Sequence, residues 1–570
     1  MKKLIDAATK RIKPDKVLKG GFVVNVFSGK IVKADVAILD GKIVGVGEYD
    51  GIENIDVNGK YVIPGLIDTH LHIESTMLTP AEFCKAVIPY GTTTIIADPH
   101  EIANVLGFDG VKYMIEQTKG LPINAHFMLP SCVPATFFEN AGAVIDSKQI
   151  NEHINDPDIF GLAEFMNFVG VVMGDEECLA KIQAAHDAGK IVDGHAPEIQ
   201  GESLNAYAGA GIKTEHECTT VEDMLRKIDS GMYIQLRQGS ATRNVATLVK
   251  GVTPQNMRRC VFCTDDRHID SLLYEGHLNY NLKIAVENGL DPVSAVIMAT
   301  LNAAECYGLK GYGAIAPGYA ADIVIMNDLK DFAADMVFFK GELVARQGKP
   351  LFEAKAKPDD RVLNTVRVKE VTPADFEIYS NSDKVHAIGL IPANVVTKKE
   401  VVQVKRNPDN SVIIKDTDLL KLAVVERHKN TGNIGKGLIK NYGLKNGAIA
   451  QTIAHDSHNI IVLGDNNEDM ALAVNSLREL GGGLIIVSQG KVLGSLKLEV
   501  AGLMTAQPIE KVNEEFQKMI KLAHSLGVSK EVEPFMTLSF LALPVIPSLK
   551  LTDKGLFDVD KFAFIPLEAE

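Results

Sequence analysis

The stretch Val62-Ile63-Pro64-Gly65-Leu66-Ile67-Asp68-Thr69-His70-Leu71-His72-Ile73-Glu74 is an apolar run that ends in two histidines separated by one residue. Because side chains alternate between the two faces of a strand, His70 and His72 point the same way. Two neighbouring imidazoles at a strand end can bind one metal ion, and together with carboxylates they suit zinc, manganese or iron. An isolated H-x-H is more often only a polar strand end. The metal interpretation therefore depends on further ligands elsewhere in the chain.

The same pattern, an apolar run that ends in polar or ionisable residues, occurs eight times, with helical segments between the runs. The runs are Tyr61–His72, Thr92–His100, Ile123–Cys132, Ile159–Asn167, Ile191–Pro197, Ile212–Thr219, Met232–Ser240 and Val261–His268. Eight strands that alternate with helices predict a (β/α)8 TIM barrel. Sites in that fold lie at the carboxyl ends of the strands, where these runs carry their ionisable residues.

Composition changes along the chain predict three domains. Short strand-like runs in residues 1–61 and 311–357 predict one small β-sandwich domain, which the barrel of residues 62–310 interrupts. Residues 358–570 alternate β-type runs with amphipathic helices and predict a C-terminal α+β domain. The predicted fold class is therefore α/β, a TIM barrel with a split β-sandwich domain and a C-terminal α+β domain.

The overall composition restricts the classes of partner. The 570 residues carry a formal net charge of -14, which argues against a nucleic-acid-binding surface. Seven sparse cysteines suggest no disulfide framework. The charged start lacks the apolar core of a signal peptide, and the most apolar late stretch is interrupted by Pro544 and Pro547. We expect a cytoplasmic protein that binds neither nucleic acid nor a membrane.

Six residues at the predicted strand ends form a candidate metal site. They are His70, His72, Glu164, His195, His216 and Asp265. Such a set suits two divalent ions that share a carboxylate and a water, about 3.5–4 Å apart, and that lower the pKa of water to about 7. Glu164 is the expected bridging ligand. Only one of Asp265 and Asp266 can face the site directly, and Asp265 is favoured, with Asp266 supporting it or contacting substrate.

Further polar residues follow the second and seventh runs. They are Asp98, His100 and Glu101 after the second, and Arg237, Gln238 and Ser240 after the seventh. The first group could orient substrate, shuttle protons or hold an additional metal, or it could form only a polar rim. The second group could hydrogen-bond a planar base, or it could form only a structural loop.

Other histidines receive structural predictions. His126 is expected to be a hydrogen-bonded residue that lines the barrel rather than a metal ligand, and His186 to be a surface or packing histidine on a helix. In the third domain, His455, Asp456 and His458 precede a predicted strand. Local packing is favoured for these three over the alternative that the domain covers the barrel mouth, although loops often carry functional residues.

The motif Pro64–His72, the later single histidines and the aspartate after the eighth run resemble the amidohydrolase superfamily. Within that superfamily the chain resembles the adenine deaminase family over nearly its full length. The matching segments are LIDTHLHIES (66–75), ADPHE (97–101), LAEFM (162–166), DGHAP (193–197), EHECT (215–219), TDDR (264–267), VERHKNTGN (425–433), IAHDSHN (453–459) and residues 534–549.

This resemblance implies hydrolysis of adenine to hypoxanthine and ammonia by a metal-activated water, with Asp265 or Glu164 moving the proton. It implies a binuclear manganese (Mn2+) centre, with Fe2+ or Zn2+ as alternatives, and a homo-oligomer, with a dimer expected. Dihydroorotases and hydantoinases bridge their metals with a carbamylated lysine from the fourth strand, whereas this chain has Glu164 there. Two alternatives remain: hydrolysis of another purine-like or cyclic amidine substrate, and an inactive scaffold without metal.

Overall fold

The computed structural model describes residues 1–392 and 394–569. Nine strands, from the chain segments before and after the barrel, form one mixed sheet. They are Lys16–Asn25, Lys30–Leu39, Lys42–Gly47, Glu53–Asp56, Tyr61–Pro64, Ile323–Met326, Ala334–Phe339, Glu342–Arg346 and Lys349–Pro350. The strand Tyr61–Pro64 pairs with Lys16–Asn25 on one side and with Ile323–Met326 on the other. The region predicted as a sandwich is therefore one continuous sheet, because this strand joins its two halves.

The eight predicted barrel runs all contain parallel strands. They are Leu66–Leu71, Thr92–Ala97, Asn124–Leu129, Ile159–Phe165, Ile191–Gly194, Thr214–Glu215, Tyr233–Arg237 and Cys260–Cys263. The first five and the last three form two hydrogen-bonded sheets. Lys213 N–H donates to the carbonyl of Val192, and Asp265 N–H donates to the carbonyl of His70, both at 3.0 Å. These two contacts join the sheets into a curled parallel sheet.

The first predicted run differs from the structure because it contains a change of sheet at Gly65. Tyr61–Pro64 belongs to the nine-stranded sheet, and Leu66–Leu71 belongs to the curled parallel sheet. A Cβ atom on Gly65 would lie 2.0 Å from Oγ1 of Thr93. Only glycine therefore allows the chain to pass this close to the neighbouring barrel strand.

Helices follow the barrel strands. They are Pro80–Val87, His100–Leu106, Phe108–Thr118, Ser147–His153, Phe168–Met173, Glu176–Asp187, Gly201–Gly209, Val221–Asp229, Val245–Leu248, Ile269–Tyr274, Leu278–Glu287, Pro292–Ala299 and Leu301–Tyr307. The last two of these helices are separated at Thr300, where φ is -135° and ψ is -81°. The Thr300 hydroxyl donates to the carbonyl of Val296, a type of bond that bends helices.

The C-terminal part contains an eight-stranded sheet. Its strands are Lys384–Leu390, Thr397–Gln403, Leu419–Val425, Ile434–Lys440, Ala448–Gln451, Ile460–Gly464, Gly483–Ser488 and Lys491–Lys497, and its longest helices are Asn467–Leu480 and Ile509–Ser525. The helix Asn467–Leu480 begins where the Asn466 side chain accepts from Asp469 N–H, and it ends at Gly481, with φ 82°. Within the described residues, no helix combines the length and apolar character needed to cross a bilayer.

The C-terminal part packs directly on the barrel. Thr79 N–H donates to the carbonyl of Thr505, and Thr505 N–H donates to the carbonyl of Met77, at 3.1 and 2.9 Å. The Asn459 side chain donates to the carbonyl of Asn140 at 2.7 Å. These contacts hold two parts of the C-terminal region against the barrel: the segment around Thr505 and the loop before the strand Ile460–Gly464.

Candidate active site

All six predicted metal ligands meet at the carboxyl ends of the barrel strands. Their positions are His70 and His72 at the end of the first strand, Glu164 in the fourth, and His195, His216 and Asp265 just after the fifth, sixth and eighth. Five of the six are buried, and His195 is partly buried. The alternation of side chains along the first strand therefore directs both of its imidazoles into the same cluster, as predicted.

Glu164 lies at the centre of the cluster. Its Oε1 atom is 3.7 Å from Nε2 of His70 and 3.4 Å from Nε2 of His72. Its Oε2 atom is 2.8 Å from Nδ1 of His195 and 3.3 Å from Nε2 of His216. One carboxylate therefore reaches two pairs of imidazoles, each pair through a different oxygen.

Asp265 approaches the same centre from the eighth strand. Its Oδ1 atom is 3.7 Å from Nε2 of His70 and 3.2 Å from Nε2 of His72. The residue adopts a left-handed backbone, with φ 57°, a conformation that aspartate tolerates better than most residues. Its Oδ2 atom accepts a hydrogen bond from Nη1 of Arg237 at 2.6 Å. Asp265 thus bonds the guanidinium with one oxygen and faces the imidazoles with the other.

The arrangement fits divalent metal ions. Two ligands about 2.0–2.2 Å from one tetrahedral ion lie about 3.4 Å apart. The separations from His70 and His72 to the two carboxylates match this value and exceed a short hydrogen bond. Nε2 of His70 is buried and has no hydrogen-bond partner among the described residues. An ion at this centre would satisfy that nitrogen.

The electrostatics keep both carboxylates ionised. Burial opposes the charge on Glu164, but the hydrogen bond from His195 and the surrounding imidazoles hold the pKa of Glu164 well below its usual range. Burial likewise opposes the charge on Asp265, and the Arg237 guanidinium holds its pKa well below the usual range. Both groups are therefore acceptors and candidate metal ligands at neutral pH.

Asp98 and His100 belong to this cluster rather than to an exposed rim, because both are buried. Nδ1 of His100 lies 3.1 Å from Oδ2 of Asp98 and 3.4 Å from Oε1 of Glu164. The carbonyl of Asp98 contacts Nδ1 of His72 at 2.9 Å. This contact assigns the proton of His72 to Nδ1 and leaves Nε2 free to bind a metal. His72, Asp98, His100 and Glu164 form one set with ligand spacing.

Glu101 faces the C-terminal part of the chain. Its Oε1 atom lies 2.6 Å from Nδ1 of His455, and its Oε2 atom contacts Nε2 of His458. His455, Asp456 and His458 are all buried over the barrel mouth. The prediction that favoured local packing for these three residues was therefore wrong about their position. The C-terminal domain covers the barrel mouth, and Glu101 on the barrel binds both imidazoles.

Glu217 is a residue that sequence reasoning missed. It accepts from Nη2 of Arg237 at 3.0 Å, and its Oε1 atom lies 3.5 Å from His216 and 3.6 Å from His195. The sixth strand ends at Glu215, so strand alternation no longer predicts the direction of the side chains that follow. The signal in the sequence was a second glutamate directly after a candidate ligand.

Two of the remaining predicted residues serve the loops around the site. Oδ1 of Asp266 accepts from the hydroxyl of Ser75 at 2.5 Å, and its carbonyl accepts from Ser240 N–H at 2.8 Å. The Ser240 hydroxyl donates to Ser271 and accepts from His268 N–H, both at 2.8 Å. The Ser240 hydroxyl therefore donates and accepts within these loops, so Ser240 supports the site from outside the cluster.

The two histidines expected to lie outside the metal site do so. His126 lies on the third strand, with its ring centroid 4.6 Å from that of Phe160. His186 is exposed on the helix Glu176–Asp187. Neither residue belongs to the cluster around Glu164 described above.

Comparison with known proteins identifies the family of the chain. The amidohydrolase family model matches residues 61–344, and the adenine deaminase C-terminal domain model matches residues 394–563. The chain is 50% identical over 553 residues to an adenine deaminase of Clostridium acetobutylicum, covering 96% of this chain and 97% of that protein. It is 50% identical over 562 residues to one from Nitratidesulfovibrio vulgaris strain DP4, covering 98% of each.

Among solved structures, an enamidase is 20% identical with a TM-score of 0.46, covering 60% of this chain and 98% of that one. The parallel strands, with imidazoles and carboxylates at their carboxyl ends, define a hydrolase of the amidohydrolase class. Within that class, the identity over nearly the whole length shows that the chain belongs to the adenine deaminase family.

Proposed function

We propose that this protein hydrolyses adenine to hypoxanthine and ammonia. The observation that carries the proposal is Glu164, whose two oxygens reach two pairs of imidazoles at the mouth of the curled parallel sheet. Membership of the adenine deaminase family supplies the substrate. When bound, the metal pair would supply a Lewis acid and lower the pKa of water enough for attack on a ring carbon at neutral pH.

The chain's own residues would handle the protons. Oδ1 of Asp265 faces the cluster and would take a proton from the attacking water, then return it to a purine nitrogen or to the departing amine. Oδ2 stays bonded to Arg237, whose charge keeps the group ionised, so that Oδ1 is free to accept a proton. Glu164 is the second candidate for this transfer. Adenine and water thereby give hypoxanthine and ammonia.

The proposed metal is manganese (Mn2+), with Fe2+ or Zn2+ as alternatives. The proposed ligands are His70, His72, Glu164, His195, His216 and Asp265. Nitrogen and oxygen ligands accept all three metals, so cellular supply contributes to the choice. Asp98, His100, Glu101, Arg237 and Asp266 are proposed to support these ligands or to contact substrate.

The domain division proposed is the one that the sequence predicted: 1–61 with 311–357, 62–310, and 358–570, with the change of sheet at Gly65. We also propose a homo-oligomer, and specifically a dimer. This part of the proposal rests on the resemblance to the adenine deaminase family. All seven cysteines are free and buried, which supports the cytoplasmic location.

The deciding experiment combines metal analysis of anaerobically purified protein with an assay of ammonia release. Adenine, adenosine, guanine, cytosine and a pterin would be compared, with hypoxanthine measured as the product. Adenine should be the preferred substrate by kcat/KM. Preference for another base would move the assignment to a different cyclic amidine. Protein without bound metal and without ammonia release from any base would favour an inactive scaffold.

A further inference from the structure

Residues 453–459, which we call the covering loop, connect the strands Ala448–Gln451 and Ile460–Gly464 of the C-terminal part. The loop is fastened to the barrel at two points. Asn459 donates to the carbonyl of Asn140, and Glu101 contacts His455 and His458. A loop held between a rigid sheet and a barrel can place a side chain accurately at a site.

The contact between Glu101 and the two imidazoles fastens the loop to the barrel. Nδ1 of His455 lies 2.6 Å from Oε1 of Glu101, a hydrogen-bonding distance. His455 and His458 therefore hold the covering loop in place.

Asp456, between these two histidines, has a different environment. Its side chain is only 4% exposed, and its Oδ2 atom has no hydrogen-bond partner among the described residues. A buried carboxylate oxygen without a partner is costly, so such atoms often face a ligand. Burial raises the pKa of Asp456 to about 6, and the charges of His100, Glu101 and Glu164 also act on it. The geometry places the residue near the metal cluster, because the preceding His455 contacts Oε1 of Glu101, and that atom lies 3.7 Å from Nε2 of His100.

Glu139 is a second buried carboxyl, and no hydrogen bond joins it to Asp456 among the described residues. Neither oxygen of Glu139 has a hydrogen-bond partner among the described residues. Burial and the charge of Asp456 raise the pKa of Glu139 well above its usual range. The unpartnered oxygen of Asp456 therefore remains available to a bound molecule.

We propose that Asp456 contacts the substrate, with its carboxylate accepting a hydrogen bond from an N–H of the purine. This inference rests on the proposed function, because adenine carries such donors on its amino group and its five-membered ring. The C-terminal part then supplies one wall of the substrate pocket, opposite the metal ligands of the barrel. Asp456 is a substrate-positioning residue, distinct from the groups that activate water.

The test compares Asp456→Asn and Asp456→Ala with Asp558→Asn in the full-length, metal-loaded protein. Asp558 is an equally buried carboxylate of the same part, bonded to Lys399 at 2.5 Å, and serves as the control. The readouts are kcat and KM for adenine, the inhibition constant of hypoxanthine, metal per chain and thermal midpoint. Loss of a hydrogen bond to a charged group should lower kcat/KM and weaken hypoxanthine binding by about 10- to 100-fold.

Metal content should stay at the wild-type level in both Asp456 variants, and Asp558→Asn should change the thermal midpoint without changing kcat/KM. A kcat/KM within twofold of wild type in both Asp456 variants would overturn the inference, as would a loss that parallels loss of metal. Ammonia release from adenine by the wild-type protein is read first. A wild type that is inactive on adenine refutes the proposed function, whereas an active wild type with unaffected variants refutes only the role of Asp456.

Discussion

Nδ1 of His455 lies 2.6 Å from Oε1 of Glu101, so a histidine from the last third of the chain bonds a helix that follows the second barrel strand. Both residues are buried; one is an acid and the other is a base. Burial opposes charge on both, but their mutual attraction raises the pKa of His455 to about 9 and holds that of Glu101 well below its usual range. This pair joins the C-terminal part to the active site.

Replacing Glu101 by glutamine should detach the covering loop. The neutral amide cannot hold two imidazoles as the carboxylate does, so kcat/KM should fall at least 10-fold and the unfolding free energy by about 1–3 kcal/mol. Steady-state kinetics and urea denaturation would measure the two effects. Glu82→Gln is a suitable control, because Glu82 is also buried and forms an ion pair with the partly exposed Lys85. Wild-type kinetics in Glu101→Gln would contradict this role.

Removing an imidazole from the cluster should abolish catalysis but preserve the fold. His70→Ala should retain less than about 1% of wild-type kcat/KM and lose bound metal, because ligand loss weakens the whole site. Metal analysis, circular dichroism and ammonia release measure these properties. Chelation should inactivate the wild type, and Mn2+ or Fe2+ should restore it. Full activity of His70→Ala with unchanged metal content would overturn the ligand assignment. The exposed His186→Ala variant should behave as wild type.

Arg237 links two carboxylates and should not tolerate lysine. Its guanidinium donates to Asp265 at 2.6 Å and to Glu217 at 3.0 Å, and a lysine ammonium cannot reproduce this fork. Arg237→Lys should lower kcat by about 10- to 100-fold, since Asp265 would be misplaced. Arg243→Lys, at a half-exposed ion pair with Glu275, is the matched control and should leave kcat unchanged. Equal kcat values for the two variants would refute the positioning role.

His126 should make stability depend on pH in a defined window. Burial lowers its pKa from 6.5 to about 4, so the folded state resists protonation that the unfolded chain accepts. Stability is unaffected above pH 6.5 and is lost as the pH falls from 6.5 towards 4. His126→Phe lacks this penalty.

The His126→Phe variant should therefore lose less stability than wild type between pH 7.5 and pH 5, by about 2 kcal/mol. Urea denaturation at both values measures the difference. His186→Phe provides the exposed control and should keep the wild-type pH dependence. An identical pH dependence of wild type and His126→Phe would show that His126 is not the residue responsible.

Local patterns in the sequence were sufficient for the parallel strands and for bringing Glu164 together with the five other residues of the candidate metal site. Each predicted run contains a strand, because apolar length and the position of ionisable ends are properties of a few adjacent residues. Glu217 was missed because it follows a strand of two residues, where alternation stops. The place of His455 was missed because its partner Glu101 is 354 positions away in the chain, and no local pattern reports such a distance.

Because the C-terminal part covers the barrel mouth, the barrel and the C-terminal part depend on each other for function. A protein truncated before the covering loop would keep every residue proposed to bind metal. Its active site would nevertheless be exposed to bulk water and would lack Asp456. Exchanging this C-terminal part for that of a distant homologue should succeed only when the recipient also carries an acidic anchor at the position of Glu101. Engineering of such enzymes therefore has to treat barrel and cover as one inherited unit.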